Sequence, residues 1–299
     1  MATKELSSTP DLRMLYGKAV AGSTVKPVLK RVPVVGGRFG GGKPELPDTE
    51  LVMRGVQVDR HHLAAYDRVC DFTLRDELPP TYPHMLAFPL QMQLMTDSSF
   101  PFAVIGLVHV RNEIEQVRPI RDDQELDVRV RAGDLEPHPK GTQFVLHSEV
   151  SVDGEPVWIS RSTYLRKGGG SGDSDKSRPE EKPPEPDDPS AVWDVPDDIG
   201  RRYAKVSGDS NPIHLRRSTA LAFGMPRPIA HGMWTKARCL AALEGELPEA
   251  FSVDVAFKLP VQLPAKVAFR TWGEGSERGF SLRDHKSGKP HIAGSVEAA

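Results

Sequence analysis

No apolar run in this chain approaches the ~20 residues that a helix needs to cross a bilayer. The opening stretch, MATKELSSTPDLRMLYGKAVAGS, lacks the apolar centre of a signal peptide. The sequence therefore reads as cytoplasmic, with this stretch as a poorly ordered lead-in. Cysteine is scarce: two in 299 residues, Cys70 and Cys239. They lie far apart, each inside an apolar-patterned segment, as expected of buried free thiols in a reducing compartment. No Cys/His spacing resembles a zinc site, and no metal is expected. An excess of one charge is missing as well. Lys and Arg total 39 and Asp and Glu 41, a formal net charge of −2. Such a balance supplies no global attraction to nucleic acid or to anionic lipid.

The length suggests two domains. Residues 167–190, KGGGSGDSDKSRPEEKPPEPDDPS, carry no large apolar side chain. Such a stretch cannot bury enough surface to offset its ordering entropy, so it reads as a flexible linker. It divides a first half, residues 1–166, from a second, residues 191–299.

The second half opens on helix chemistry. Pro196 reads as the first helical position, Asp197 and Asp198 face the dipole, and Ile199, Tyr203 and Val206 recur at helical spacing. Gly208 suits the residue just past the helix end. A short helix is expected at 218–223, a proline-bearing loop at 225–230 and a longer helix at 232–244. Strand signals follow near 251–257, 264–272, 278–285 and 289–297. The first half repeats this plan weakly: a helix at 62–70, a proline-rich loop at 78–83, and an apolar helix at 85–95 interrupted at Pro89. Strands are expected at 103–117, 124–134, 142–153 and 156–166. This order implies an α+β fold in which one helix is wrapped by a strongly bent sheet, twice.

The chemistry concentrates in residues 207–214, SGDSNPIH. Asp209 and His214 are five apart, off a common helical face, but the turn through Asn211 and Pro212 can bring carboxylate and imidazole to opposite sides of one water-sized space. That pairing suits addition or removal of water: one group takes a proton while the other orients or supplies one. Further on, Ala230, His231 and Gly232 open the longer helix. Its first N–H groups and positive dipole end could polarise a carbonyl and stabilise developing enolate charge. On its own, His231-Gly232 reads as a helix cap.

Residues 203–214, YAKVSGDSNPIH, followed by Ala220 and by IAHGM at 229–233, resemble the signature of the MaoC-like, R-specific enoyl-CoA hydratase (hydratase 2) family. The resemblance covers most of the second half. It implies the hot-dog fold, a long central helix wrapped by an antiparallel sheet. The paired arrangement, with TYP at 81–83, FPF at 100–102 and RPI at 118–120, resembles the double-hot-dog 3-hydroxyacyl-thioester dehydratases. It implies that Asp209 and His214 activate water for syn hydration of a trans-2-enoyl thioester to the (3R)-3-hydroxyacyl product. Asn211 orients the dyad or the substrate, and the Gly232 N–H donates to the thioester carbonyl. No cofactor is implied; coenzyme A or acyl carrier protein arrives with the substrate.

The first half departs from the pattern. Aligning residues 65–70 with 202–207 puts Phe72 where Asp209 stands and Glu77 where His214 stands. One active site per chain is expected, and the two-repeat chain suffices as a monomer or forms a homodimer. Arg216, Arg217 and Lys258, with Lys266, are candidate contacts for coenzyme A phosphates. Residues 37–43, GRFGGGK, nearly fit a phosphate-binding loop, but Pro44 follows where a hydroxyl is needed. His61 and His62 read as solvent-exposed. Two other activities remain open on sequence alone: acyl-thioester hydrolysis on the same fold, and non-catalytic acyl-thioester binding.

Overall fold

The computed structural model describes residues 1–22, 44–168, 185–273, 275 and 277–299. The loop-like string at 37–43 and residues 169–184 of the expected linker lie outside the described residues. The downstream end of that linker is fastened: Glu185 accepts hydrogen bonds from Ser281 Oγ and Arg283 Nε, both at 2.6 Å.

The first half contains β1 (Ala2–Glu5), α1 (Leu12–Gly22), β2 (Thr49–Val56), α2 (Arg60–Cys70), α3 (Pro83–Met95), β3 (Leu107–Gln116), β4 (Leu126–His138), β5 (Gly141–Val152) and β6 (Glu155–Lys167). The second contains β7 (Ala191–Val195), α4 (Ile199–Ser207), α5 (Arg217–Ala222), α6 (Gly232–Ala241), β8 (Phe251–Phe257), β9 (Ala265–Trp272), β10 (Glu277–Asp284) and β11 (Pro290–Ala298). The strands form one sheet in the order β1-β2-β4-β5-β6-β3-β8-β11-β10-β9-β7. Every pairing is antiparallel except β1 with β2. The halves join at β3 and β8, from Arg111 opposite Ala256 to Gln116 opposite Phe251.

The alternating strands carry the core. In β8, Phe251, Val253 and Val255 point inward while Ser252 is exposed. α6 lies against the seam between the halves. Its fully buried Lys236 donates from Nζ to the Asn112 carbonyl at 3.0 Å and to Asn112 Oδ1 at 2.6 Å. Asn112 in turn donates to Ser160 and Ser162. Burial pushes the Lys236 pKa well below its ordinary value, and its hydrogen bonds to Asn112 tie helix to sheet. α2 packs on α4, with the Tyr66 and Tyr203 rings 6.2 Å apart. Cys70 and Cys239 are buried and free.

Several expectations need correction. The opening stretch is ordered as far as α1: β1 pairs with β2, and Leu15 and Tyr16 of α1 are buried. α3 runs through Pro89, because its almost complete burial holds the helix together despite one missing N–H. α4 starts at Ile199 rather than Pro196, with Asp198 at the cap position. His62 is not solvent-facing: it bridges the Tyr82 hydroxyl at 2.9 Å and the Val206 carbonyl at 2.6 Å. The pattern reading missed β2 and β7, whose alternation is short and partly polar.

Candidate active site

α4 sets the site because its apolar face, Ile199, Tyr203 and Val206, is buried and fixes where the helix ends. The end is Gly208, at φ +70° in the left-handed region, with its N–H on the Ala204 carbonyl at 3.0 Å. Asp209 follows at once. Asn211 then caps a 3-10 turn, Pro212–His214, by accepting the Ile213 N–H at 3.4 Å. The Asn211 side-chain oxygen thus holds the turn that carries His214. The turn folds back onto α4 at Gly200, where a Cβ would lie 2.1 Å from the His214 carbonyl oxygen; only glycine permits that approach.

His214 is buried, and its Nδ1 lies 2.7 Å from the Ile229 carbonyl. A carbonyl only accepts, so Nδ1 carries the proton and Nε2 of the neutral ring keeps a free lone pair. Burial lowers the His214 pKa, against the opposing pull of Asp209. The Asp209 carboxylate retains 26% of its side-chain surface, enough for water to reach it. Burial alone would raise its pKa. The neighbouring His231 and His214, the Tyr16 hydroxyl and the Asn211 N–H outweigh that and hold it below the usual carboxylate value. The resting pair is therefore an ionised Asp209 beside a neutral His214.

Two further residues reach this pair. Tyr16 of α1 donates its hydroxyl to Asp209 Oδ1, which also accepts the Asn211 N–H at 3.1 Å. His231 stacks on His214, with ring centroids 3.7 Å apart and planes at 26°. Its Nε2 donates to the Asp209 carbonyl at 3.0 Å and lies 3.8 Å from Asp209 Oδ2. Burial, then His214, pushes the His231 pKa down to about 3, so this ring is neutral. Tyr16 left no local signal, because its partner is 193 residues away in sequence. His231 was legible only as a cap; it is the residue before α6 but makes no side-chain cap bond.

Ligand atoms of Asp209, His214 and His231 lie within 4.8 Å of one another, close enough in principle for a metal ion. Their chemistry does not fit one well. The two imidazoles stack face to face, centroids 3.7 Å apart and planes at 26°, rather than converging on one point.

Gly232 begins α6, so its N–H has no intrahelical partner. Phe257 covers that turn, 3.2 Å from where a Cβ of Gly232 would sit. Arg216 and Arg217 start α5 just beyond His214, and Lys258 follows Phe257; all three are exposed. Lys266 lies on β9 opposite Asp194 of β7, towards the sheet edge. In the first half, Phe72 is buried and stacks on Tyr66, and Glu77 is exposed.

Residues 175–295 match the model of the MaoC like domain. The chain is 36% identical to the 3-hydroxyacyl-thioester dehydratase X of Mycobacterium tuberculosis over 252 residues, 84% of this chain and 90% of that protein. The crystal structure of HtdX from that organism superposes with a TM-score of 0.74 at 34% identity, covering 84% of this chain and all of HtdX. A further M. tuberculosis structure, described as a double hot-dog fold, matches with a TM-score of 0.52 at 12% identity, covering 83% of this chain and 94% of that one. The fold is accordingly a double hot dog, α3 and α6 being the wrapped helices. With the relationship to HtdX running along most of both chains, this protein belongs to the MaoC-like dehydratase family.

Proposed function

We propose that the chain is a hydro-lyase that hydrates trans-2-enoyl thioesters, and in reverse dehydrates (3R)-3-hydroxyacyl thioesters, in fatty-acid metabolism. One active site per chain, formed by Asp209, His214 and Gly232, carries the reaction. The observation supporting this most is the His214 ring, tied at Nδ1 to the Ile229 carbonyl with Nε2 left over, beside an Asp209 carboxylate that water can reach.

The roles follow from protonation. Asp209 Oδ2, not engaged by Tyr16 or Asn211, accepts one hydrogen of the water and aims its oxygen. His214 Nε2 takes the other proton as the oxygen bonds to C3. The C2–C3 π pair moves toward the thioester, and the charge on its oxygen meets the N–H of Gly232 at the positive end of α6. The new Nε2–H then passes its proton to C2 on the same face, and the dyad is restored. Asn211 acts as a positioning residue through the turn. Arg216, Arg217 and Lys258 remain our candidates for the phosphates of a coenzyme A or carrier-protein arm. The chain works as a cytoplasmic monomer or homodimer.

Incubation with crotonyl-CoA tests the reading. Loss of the enoyl absorbance without release of free thiol, with a (3R)-3-hydroxybutyryl product, is the expected result. Free thiol would point to hydrolysis instead, and an (S) product would overturn the assignment of the face.

A further inference from the structure

We infer that Tyr16, on the N-terminal helix α1, is a positioning residue of the hydration site: its hydroxyl fixes one oxygen of the Asp209 carboxylate so that the other faces the water. The inference rests on the reading of Asp209 given above.

α1 is well held for such a task. The strand before it, β1, pairs with β2, Leu15 is buried, and Leu12 packs onto Gly208 at the end of α4. A Cβ on Gly208 would lie 2.2 Å from Leu12 Cδ1, so the left-handed glycine that launches Asp209 also makes room for α1. Tyr16, 9% exposed, comes one turn after Leu12 and ends on Asp209 Oδ1. That oxygen then has two donors, the hydroxyl and the Asn211 N–H. The phenol stays a donor, since burial and the adjacent Asp209 charge push its pKa well above the ordinary value. A carboxylate pinned at Oδ1 cannot swing, and its lone pairs at Oδ2 stay aimed at one place.

The groups facing Asp209 come from every packed element. Tyr164 of β6 and Tyr203 of α4 are phenols raised above the ordinary range by burial. His84 of α3, at about 4, and His109 of β3 and His231, at about 3, are held neutral by burial. Near neutral pH the acid side of the rate profile therefore reports Asp209 and His214. Tyr16 touches the first and not the second.

The test is Tyr16→Phe, which keeps the ring and removes the donor. For crotonyl-CoA, kcat is expected to fall roughly 10–100-fold with KM little changed. The acid limb of the kcat profile should move to higher pH, because a carboxylate stripped of a donor protonates more readily. A variant with wild-type kcat and an unmoved limb overturns the inference; so does a loss of rate without movement of the limb, which would mean simple packing. Should Tyr16→Phe not fold, 3-fluorotyrosine placed at position 16 decides the matter. Its more acidic phenol is a stronger donor and should shift the limb to lower pH, and no shift overturns the proposal. Asp209→Asn separates the two claims: if it keeps turnover the hydration site itself is misassigned, whereas a dead Asp209→Asn beside an unaffected Tyr16→Phe removes Tyr16 alone.

Discussion

His214, the base in the proposed reaction, owes its available nitrogen to what the other one does. The Ile229 carbonyl holds the Nδ1 proton, and burial keeps the ring neutral. His214→Ala and Asp209→Asn should each lower kcat by roughly 10²–10⁴-fold, the usual share of an acid–base group. Steady-state rates on crotonyl-CoA check this; a variant that keeps a tenth of the rate would exclude its residue from the role. The string SGDSNPIH made these two residues legible, because a glycine end, an Asn-Pro turn and the two functional groups are all local in sequence. His231 was half legible. Its place before α6 could be read, but its stacking on His214 depends on the turn that carries His214 inward. Tyr16 was not legible, since no periodicity links a residue in a polar leading segment to one near the middle of the second half.

The two central helices differ at their first residue. α6 begins with Gly232 and α3 with Pro83. Proline suits that position because the missing N–H is an orphan anyway. At α3 it also removes the donor that Gly232 supplies in the proposed reaction, in keeping with the single site proposed for the chain. Gly232→Pro transplants the difference. α6 should still form, with Phe257 giving by a few tenths of an ångström, and kcat should fall about 10²–10³-fold, the typical loss of one oxyanion donor. Circular dichroism and rate measurements together check it: retained helix with retained rate would assign carbonyl activation elsewhere. Most elements could be read from alternation and helical spacing. β2 and β7 could not, being short and partly polar, and Pro89 misled because burial, not propensity, keeps α3 continuous.

At the scale of the molecule, the histidines whose pKa falls furthest, His84, His109 and His231, couple stability to acidity. Burial lowers His84 to about 4 and His109 and His231 to about 3, whereas an unfolded histidine titrates near ~6.5. Between those values the unfolded chain binds protons that the folded chain refuses. Stability is thus fully present above about pH 6.5 and declines as pH falls toward 3, by about 1–2 kcal/mol per histidine at pH 5. Thermal melts at pH 7 and pH 5 should show a marked drop in Tm, and a Tm unchanged at pH 5 would mean that these rings are solvated. The sheet itself was legible only in outline. Two bent sheets followed from the order of elements, but their fusion into eleven strands through β3 and β8 rests on pairing between distant segments.

That fusion removes a variable from the behaviour of the protein. In a site shared between separate chains, dilution depopulates the active pair, and specific activity falls with concentration. Here the face that supplies Tyr16 and the face that supplies Asp209 and His214 are parts of one polypeptide, joined by a strand pairing internal to it. Mass action has no hold on that junction, so specific activity should stay constant down to the lowest protein concentration that can be assayed.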